Sequence, residues 1–451
     1  MDRRAFLSGA ATTAAASLTV PAAPALAAGA TAEADARAFG LKPNARTLQT
    51  AALQRAIDRS SALGRPLHLP PGTYWTGSLT LRDRTSIIGT SGFTQLNLAG
   101  DATVFSANRI SSLRLAGLII DGTGARGSTG DRAAALIALS SIEQLSLDRL
   151  MVRNGPANGI RLERCAGGVT NSSFEGFGEA ALFLNASRGM RVAANRVSRC
   201  ANNGILVWQP ADGPDGTLVT GNRISGIRSA AGGSGQNGNG VNVYRAHNVM
   251  VSGNHITDCA YSAVRGNAAS NLQIIANQAH RIGEVALYAE FGFQGAVIAS
   301  NIVDQAASGI SVTNFNVGGR LAVVHGNLVR NLKRREHERV DKRGNGIAVE
   351  ADAAMTGNTV EGAPTAGIVI GWGRHMRNVA ATGNVVTKCG VGIMVTGNMA
   401  AGRALIANNI IADAKAGAVR RMARGKLYGP DLTTTPPTDR LTVKSNVVDA
   451  G

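Results

Sequence analysis

The sequence predicts an all-β fold, a parallel β-helix in which short strands coil into stacked turns, closed at its start by one helix. Two recurring phrases and the amino-acid balance carry that expectation. The first phrase runs apolar, small, small, Asn, any residue, apolar, as in Val192-Ala-Ala-Asn195-Arg-Val197, Val219-Thr-Gly-Asn222-Arg-Ile224 and Val251-Ser-Gly-Asn254-His-Ile256. Together with Asn171, Asn277, Asn301, Asn327, Asn358, Asn384, Asn409 and Asn446 these make eleven asparagines spaced 23 to 37 residues apart. The second phrase, such as Gly204-Ile-Leu-Val207 or Gly309-Ile-Ser-Val312, lies between them. Both phrases alternate with period two, so each is a short strand. A unit of this size cannot bury its own apolar side, whereas stacking it on copies of itself does.

The balance of residues agrees. Apolar residues make up 44% of the 451, aromatics only 4%, and there are 56 glycines, which favours a core of small aliphatic side chains. Charged residues are 17% and apolar ones are spread along the chain, which excludes a disordered polymer. The 46 Lys and Arg against 29 Asp and Glu leave +17, a statement about partners such as an acidic polymer rather than about fold.

In stacked coils, hydrogen-bonded strands sit about 4.8 Å apart, so each asparagine can bond to the turn above or below. Cys200, Cys259 and Cys389 fall five residues after their asparagine, in a core-facing column otherwise held by residues such as Ile227, Ile282 and Leu332. Cys200 and Cys259 are two coils apart, about 9.5 Å by strand spacing, too far for a disulfide. They are expected to be buried free thiols. No metal and no cofactor is expected, since no His or carboxylate shares the column and no zinc spacing occurs.

Four segments follow. Residues 1–27 read as an export signal, with Arg3-Arg4, an uncharged Ala-rich stretch, and cleavage expected at Ala27 and Ala28. Residues 28–46 are a linker, 47–110 a cap helix with the first coils, and 111–451 the repeats. Thr47 is the expected N-cap of a helix to about Ala62, with Leu48, Ala51, Ala52, Ala56 and Ile57 as its apolar side. No run is long enough for a stable membrane span.

The segment Leu48-Gln-Thr-Ala-Ala-Leu-Gln-Arg-Ala-Ile57 followed by Leu67-His-Leu-Pro-Pro-Gly-Thr-Tyr74 resembles the opening of pectate-lyase-like, right-handed parallel β-helix proteins. The start, Arg3-Arg4-Ala-Phe-Leu7, resembles a twin-arginine signal, although Asp2 and Ser8 depart from that pattern. The resemblance implies a member of a twin-arginine-exported repeat group without assigned activity, handed over by the twin-arginine translocation machinery to the periplasm or beyond. The wider superfamily cleaves or modifies polysaccharides, or is purely adhesive or structural. Fold does not choose among these.

Alternation on the Gly-Ile-x-Val strand sets outward residues in columns. Trp208, Asn242, Tyr244, Asn267, Ser311 and Thr313 form a candidate sugar-binding strip around Arg265, Tyr288, Glu290 and Glu350. Loops 226–239 and 331–345 wall one edge of it, and insertions in repeat proteins map to binding faces. Two mechanisms on an acidic polysaccharide fit. Glu290 and Glu350, two coils apart, suit the acid and base of an inverting hydrolase. Alternatively Arg265 or Tyr288 could take the proton beside a uronate carboxylate, giving β-elimination or epimerisation, toward which the basic surface leans. Against both stands a solvated Arg265–Glu290 bridge of no function. The competing class is a non-catalytic polysaccharide-binding or envelope protein. No phosphate loop, Gly-x-Ser-x-Gly elbow or nucleic-acid module occurs.

Overall fold

The computed structural model describes residues 34–101, 103–126, 133–436, 438 and 440–449. The expected signal, residues 1–27 with Ala27 and Ala28, lies outside them. The described chain is a parallel β-solenoid of about 14 turns with one α-helix near its start. Nearly every strand pairs in parallel with its counterpart one coil away, in three stacked sheets. Registers align like positions. In the sheet of the second phrase, Leu206, Asn242, Arg265, Tyr288, Ser311, Ala348, Val369 and Met394 are successive partners. Trp208, Tyr244, Asn267 and Glu290 form the neighbouring column.

Inside, small aliphatic side chains fill one continuous core along the axis, with all four cysteines among them, free and buried. Burial pushes the Cys200 thiol up to about 12, because a thiolate there would have no solvent. The glycine of the second phrase is required by coil stacking. A Cβ on Gly204 would lie 2.4 Å from the carbonyl oxygen of Gly240, and one on Gly346 2.2 Å from that of Gly367.

Ten asparagines thread one bend, from Asn195 through Asn222, Asn254, Asn277, Asn301, Asn327, Asn358, Asn384 and Asn409 to Asn446. Asn301 shows the pattern. Its Oδ1 accepts from the backbone N–H and the Nδ2 of Asn277, at 2.8 and 3.1 Å. Its own N–H and Nδ2 donate to Asn327 Oδ1, and Nδ2 also donates to the Ile274 carbonyl. Only a side chain with both donor and acceptor can continue such a chain.

Asn171 does not belong to it. It sits one residue early, in the left-handed position (φ 52°) that Gly221, Gly253 and Gly326 hold in other coils, so its side chain turns outward and donates to Asp148 Oδ1. Ser172 takes the ladder place, its N–H donating to Asn195 Oδ1 and its Oγ accepting from the Leu150 N–H.

At the N-terminal end the helix runs Thr50–Ala62, starting three residues later than Thr47. Gln49 precedes it without capping it, because its amide instead clamps Lys42, accepting from the Lys42 N–H and donating to the Lys42 carbonyl. Leu53, Ala56, Ile57, Ser60 and Ser61 are buried, while Leu48 and Ala51 are exposed. Within the expected linker, Ala34–Asp35 pairs with Leu67–His68 as an outermost strand and a short 3-10 turn follows at Ala36–Phe39. At the other end Val419–Ala423 and Lys426–Asp431 form an antiparallel hairpin.

Candidate functional site

The columns set up by coil stacking meet the two long loops on one face. Trp208, Asn242, Tyr244, Asn267 and Arg265 line a cavity of about 340 Å³. Arg265, Tyr288, Glu290, Ser311, Thr313 and Glu350 line an adjoining one of about 550 Å³. All ten strip candidates thus fall into two connected hollows that share Ser234, Arg265 and Phe291.

The walled strip is more closed than alternation alone implies. Tyr288 and Glu290 alternate with the core residues Leu287 and Ala289 and so point away from the core, yet they are buried. The cause is the loops. Gly235 of the 226–239 loop rests on the Arg265 guanidinium so closely that a Cβ there would lie 2.2 Å from it, and its φ of +143° admits only glycine comfortably. Tyr261 Oη pins the same loop through the Gly233 carbonyl at 2.7 Å. Residues 333–343 of the second wall loop dock as well: Lys342 Nζ reaches Glu284 Oε1, Arg335 donates to the Gly283 carbonyl, and Ser308 Oγ donates to the Lys342 carbonyl.

Under this wall lies a buried ion network. Arg265 Nε bonds Glu290 Oε1 at 2.6 Å and its Nη1 bonds Glu284 Oε2 at 3.1 Å. Burial works against the Arg265 charge, but Glu290 and Glu284 more than offset it and hold its pKa above the ordinary value. Asn267 Nδ2 also donates to Glu290 Oε1, at 3.3 Å. Tyr288 lies beneath both cations, with Arg265 5.0 Å and Lys342 Nζ 5.4 Å from its ring centroid. Burial first, then the Glu290 charge, push the Tyr288 phenol well above its usual range.

Glu350 occupies the far side of the larger cavity. Its Oε2 accepts the Phe315 N–H at 2.7 Å. Burial pushes its carboxyl up to about 7, and the Phe315 and Asn314 backbone bonds only partly counter this. By strand stacking, with Thr313 between them, Glu290 and Glu350 stand two coils apart, about 9.5 Å. In the smaller cavity Trp208 and Tyr244 are half-buried, their ring centroids 5.4 Å apart and tilted by 55°, with Phe183 edge-on to Trp208. Asn242 is buried and reaches the Gln236 carbonyl at 3.4 Å. Ser311 Oγ and Thr313 Oγ1 are 3.4 Å apart.

Sequence reasoning missed Glu284, Lys342 and Trp372. Glu284 sits in its strand at the register shift between Ile282 and Val285, beside Tyr261, whose carbonyl accepts the Glu284 N–H. A lone carboxylate where neighbouring coils carry Tyr261 and Ala307 was the available signal.

Residues 203–386 match the family model described as a right handed beta helix region. The fold is the right-handed parallel β-helix. A second model, described as a periplasmic copper-binding protein (NosD), matches residues 97–280 of this β-helix. Among solved structures, the β-helix is similar to the N-terminal fragment of bacteriophage phi29 gene product 12, at 12% identity and a TM-score of 0.60, covering 92% of this chain and 71% of that one. The pre-mature form of that gene product gives 14% identity and a TM-score of 0.53, over 89% and 58%. A GH87 α-1,3-glucanase catalytic unit from Streptomyces thermodiastaticus gives 13% and 0.48, over 93% and 69%. A search of curated protein sequences finds no match. The donor set does not fit copper: among the described residues no three His, Cys, Asp or Glu side chains converge, and the four thiols are dispersed in the core. Nor is any helix among them long and apolar enough to cross a membrane.

Proposed function

We propose that this β-helix is an exported carbohydrate-active enzyme that hydrolyses a polysaccharide in the walled groove, with Glu350 as proton donor and Glu290 as the base that activates water. The observation that carries this is the Glu350 carboxyl, held near 7 by burial in a cavity of about 550 Å³ and two coils from a second carboxylate. A carboxylic acid that keeps its proton near neutrality can protonate a glycosidic oxygen. Two coils of strand spacing, about 9.5 Å, stand against the roughly 6.5–9.5 Å between the carboxyls of inverting hydrolases. With Glu290 Oε1 committed to Arg265 and Asn267, Oε2 is the oxygen left for water.

Elimination fits these residues less well. Tyr288 is a poor base with its phenol so far raised, and Arg265 is tied to two carboxylates. The same pairing leaves less positive charge for a uronate than the chain's +17 suggests, so an acidic polymer remains the favoured substrate only through the wider basic surface. Export by the twin-arginine route to the periplasm is supported by Arg3-Arg4 and by the match to a model described as periplasmic.

The alternative, a non-catalytic polysaccharide-binding protein, is favoured by one feature, the half-exposed Trp208–Tyr244 pair suited to stacking on sugars. A panel of uronate-containing and neutral polymers, assayed for new reducing ends and for the absorbance of unsaturated ends, separates the readings. Reducing ends alone support hydrolysis, unsaturated ends support elimination, and binding without either supports the alternative.

A further inference from the structure

The outward column that builds the groove does not stay open along the whole β-helix. Beyond Ser311 it continues through Ala348, Val369 and Met394, all buried. They pack in a separate apolar cluster with Met422 of the C-terminal hairpin, and Trp372 and Leu427 lie against it. The hairpin therefore folds across the strip. Tyr428 crosses Gly397, where a Cβ would meet its hydroxyl at 1.7 Å. At the hairpin turn a Cβ on Gly425 would lie 2.8 Å from Val340 Cγ1 and 3.4 Å from the Trp372 ring. The turn thus abuts both the wall loop that carries Lys342 and the tryptophan that lines the larger cavity. In the opposite direction the smaller cavity leads to half-exposed Tyr244 and Trp208, with Arg245 over the Tyr244 ring and Ser234, Gly235 and Gln236 of the 226–239 loop along its edge.

We infer, resting on the hydrolytic reading above, that the groove is a blind trough stopped by Trp372 and the 419–431 hairpin, so that it takes a polysaccharide by one chain end and releases a short product. The bulk of the polymer leaves over Tyr244 and Trp208. The terminal unit lies between Glu350 and Trp372, beside His375, whose pKa is lowered by burial and by the neighbouring cations Arg374 and Arg424. Trp372 and the hairpin then determine specificity by length: an internal stretch of polymer would have to continue past Val369, which lines the cavity, across Met394, which packs with Met422 of the hairpin.

The test uses the full protein and polygalacturonate and alginate, each at two mean lengths differing tenfold. End recognition predicts that binding per gram rises about tenfold for the shorter polymer, because chain ends do, while binding per chain is unchanged. Products should be of one short size from the earliest time points, and Trp372→Ala should lengthen them. Binding that follows polymer mass, or a random ladder of oligomers with a rapid fall in viscosity, would overturn the blind trough while leaving hydrolysis intact. End-dependent binding with no turnover would overturn hydrolysis and leave the trough. Absence of binding and turnover across both polymers and neutral glucans would remove both.

Discussion

Arg265 and Glu290 face one another across adjacent coils, Nε to Oε1 at 2.6 Å, with only 5% and 3% of their side-chain surfaces exposed. The pair that would be worth little in water is buried against Gly235 at the cavity wall, and Glu284 makes it a triad. Removing one member of a buried pair strands the other, which costs about 3–5 kcal/mol. Arg265→Met should therefore lower the urea midpoint substantially. Arg265→Met combined with Glu290→Gln should recover part of the loss, since Glu284 keeps Lys342. Equal destabilisation by the single and double variants would show that the two charges are not coupled by burial.

Glu350 makes stability depend on pH. An unfolded chain loses this proton near the ordinary 4.5, whereas the folded chain holds it to about 7. Between those values the folded state binds more protons, so stability falls as pH rises, by about 1.4 kcal/mol per unit and about 3 kcal/mol in all, then levels off. Glu350→Gln removes that loss. Thermal melts at pH 4.5, 6 and 8 should show the variant gaining on wild type up to pH 7 and no further. A constant difference at all three would mean that Glu350 titrates normally.

The asparagine ladder predicts a position-dependent series. Asn301→Ala strands the Asn277 N–H, leaves Asn277 Nδ2 only the Val251 and Ile275 carbonyls, and takes the Asn301 donor from the Ile274 carbonyl, each buried group left unpaired costing about 1–3 kcal/mol. Asn446→Ala, at the partly buried end of the row, should cost less. Asn171→Ala should cost less than Asn301→Ala, because that side chain bonds a half-buried Asp148 carboxylate at the surface and the residual cost is that of an alanine at φ 52°. Denaturation midpoints that rank Asn171→Ala with Asn301→Ala would restore Asn171 to the ladder.

All four thiols should be silent to a thiol reagent in the native chain and react, four per molecule, in denaturant, because each is buried and free and the Cys200 thiol is pushed up to about 12. Fewer than four after unfolding without reductant would reveal a disulfide.

The stacking period was legible because it repeats: ten copies of an Asn before a strand, and a glycine where the next coil's carbonyl leaves no space for a Cβ, average out local noise. Asn171 misled because two polar residues, Asn171 and Ser172, straddle the bend, and the spacing does not say which one turns inward. The face of the candidate strip followed from alternation alone. Its burial did not, since the docking of Gly235, Lys342 and the C-terminal hairpin depends on contacts between segments one to three coils apart, which no local pattern encodes. Thr47 failed as a cap for a similar reason: Gln49 is drawn to Lys42 by a clamp that spans the turn before the helix.

The most direct measurement is the rate of reducing-end release from the polymer panel by wild type and by Glu350→Gln, each across pH 5 to 9, with polymer binding measured alongside. If Glu350 donates the proton, wild-type turnover falls about tenfold per unit above pH 7, and the variant binds polymer but loses about 10²–10⁴-fold in rate. Turnover by Glu350→Gln at the wild-type rate, or products carrying unsaturated ends, would contradict it.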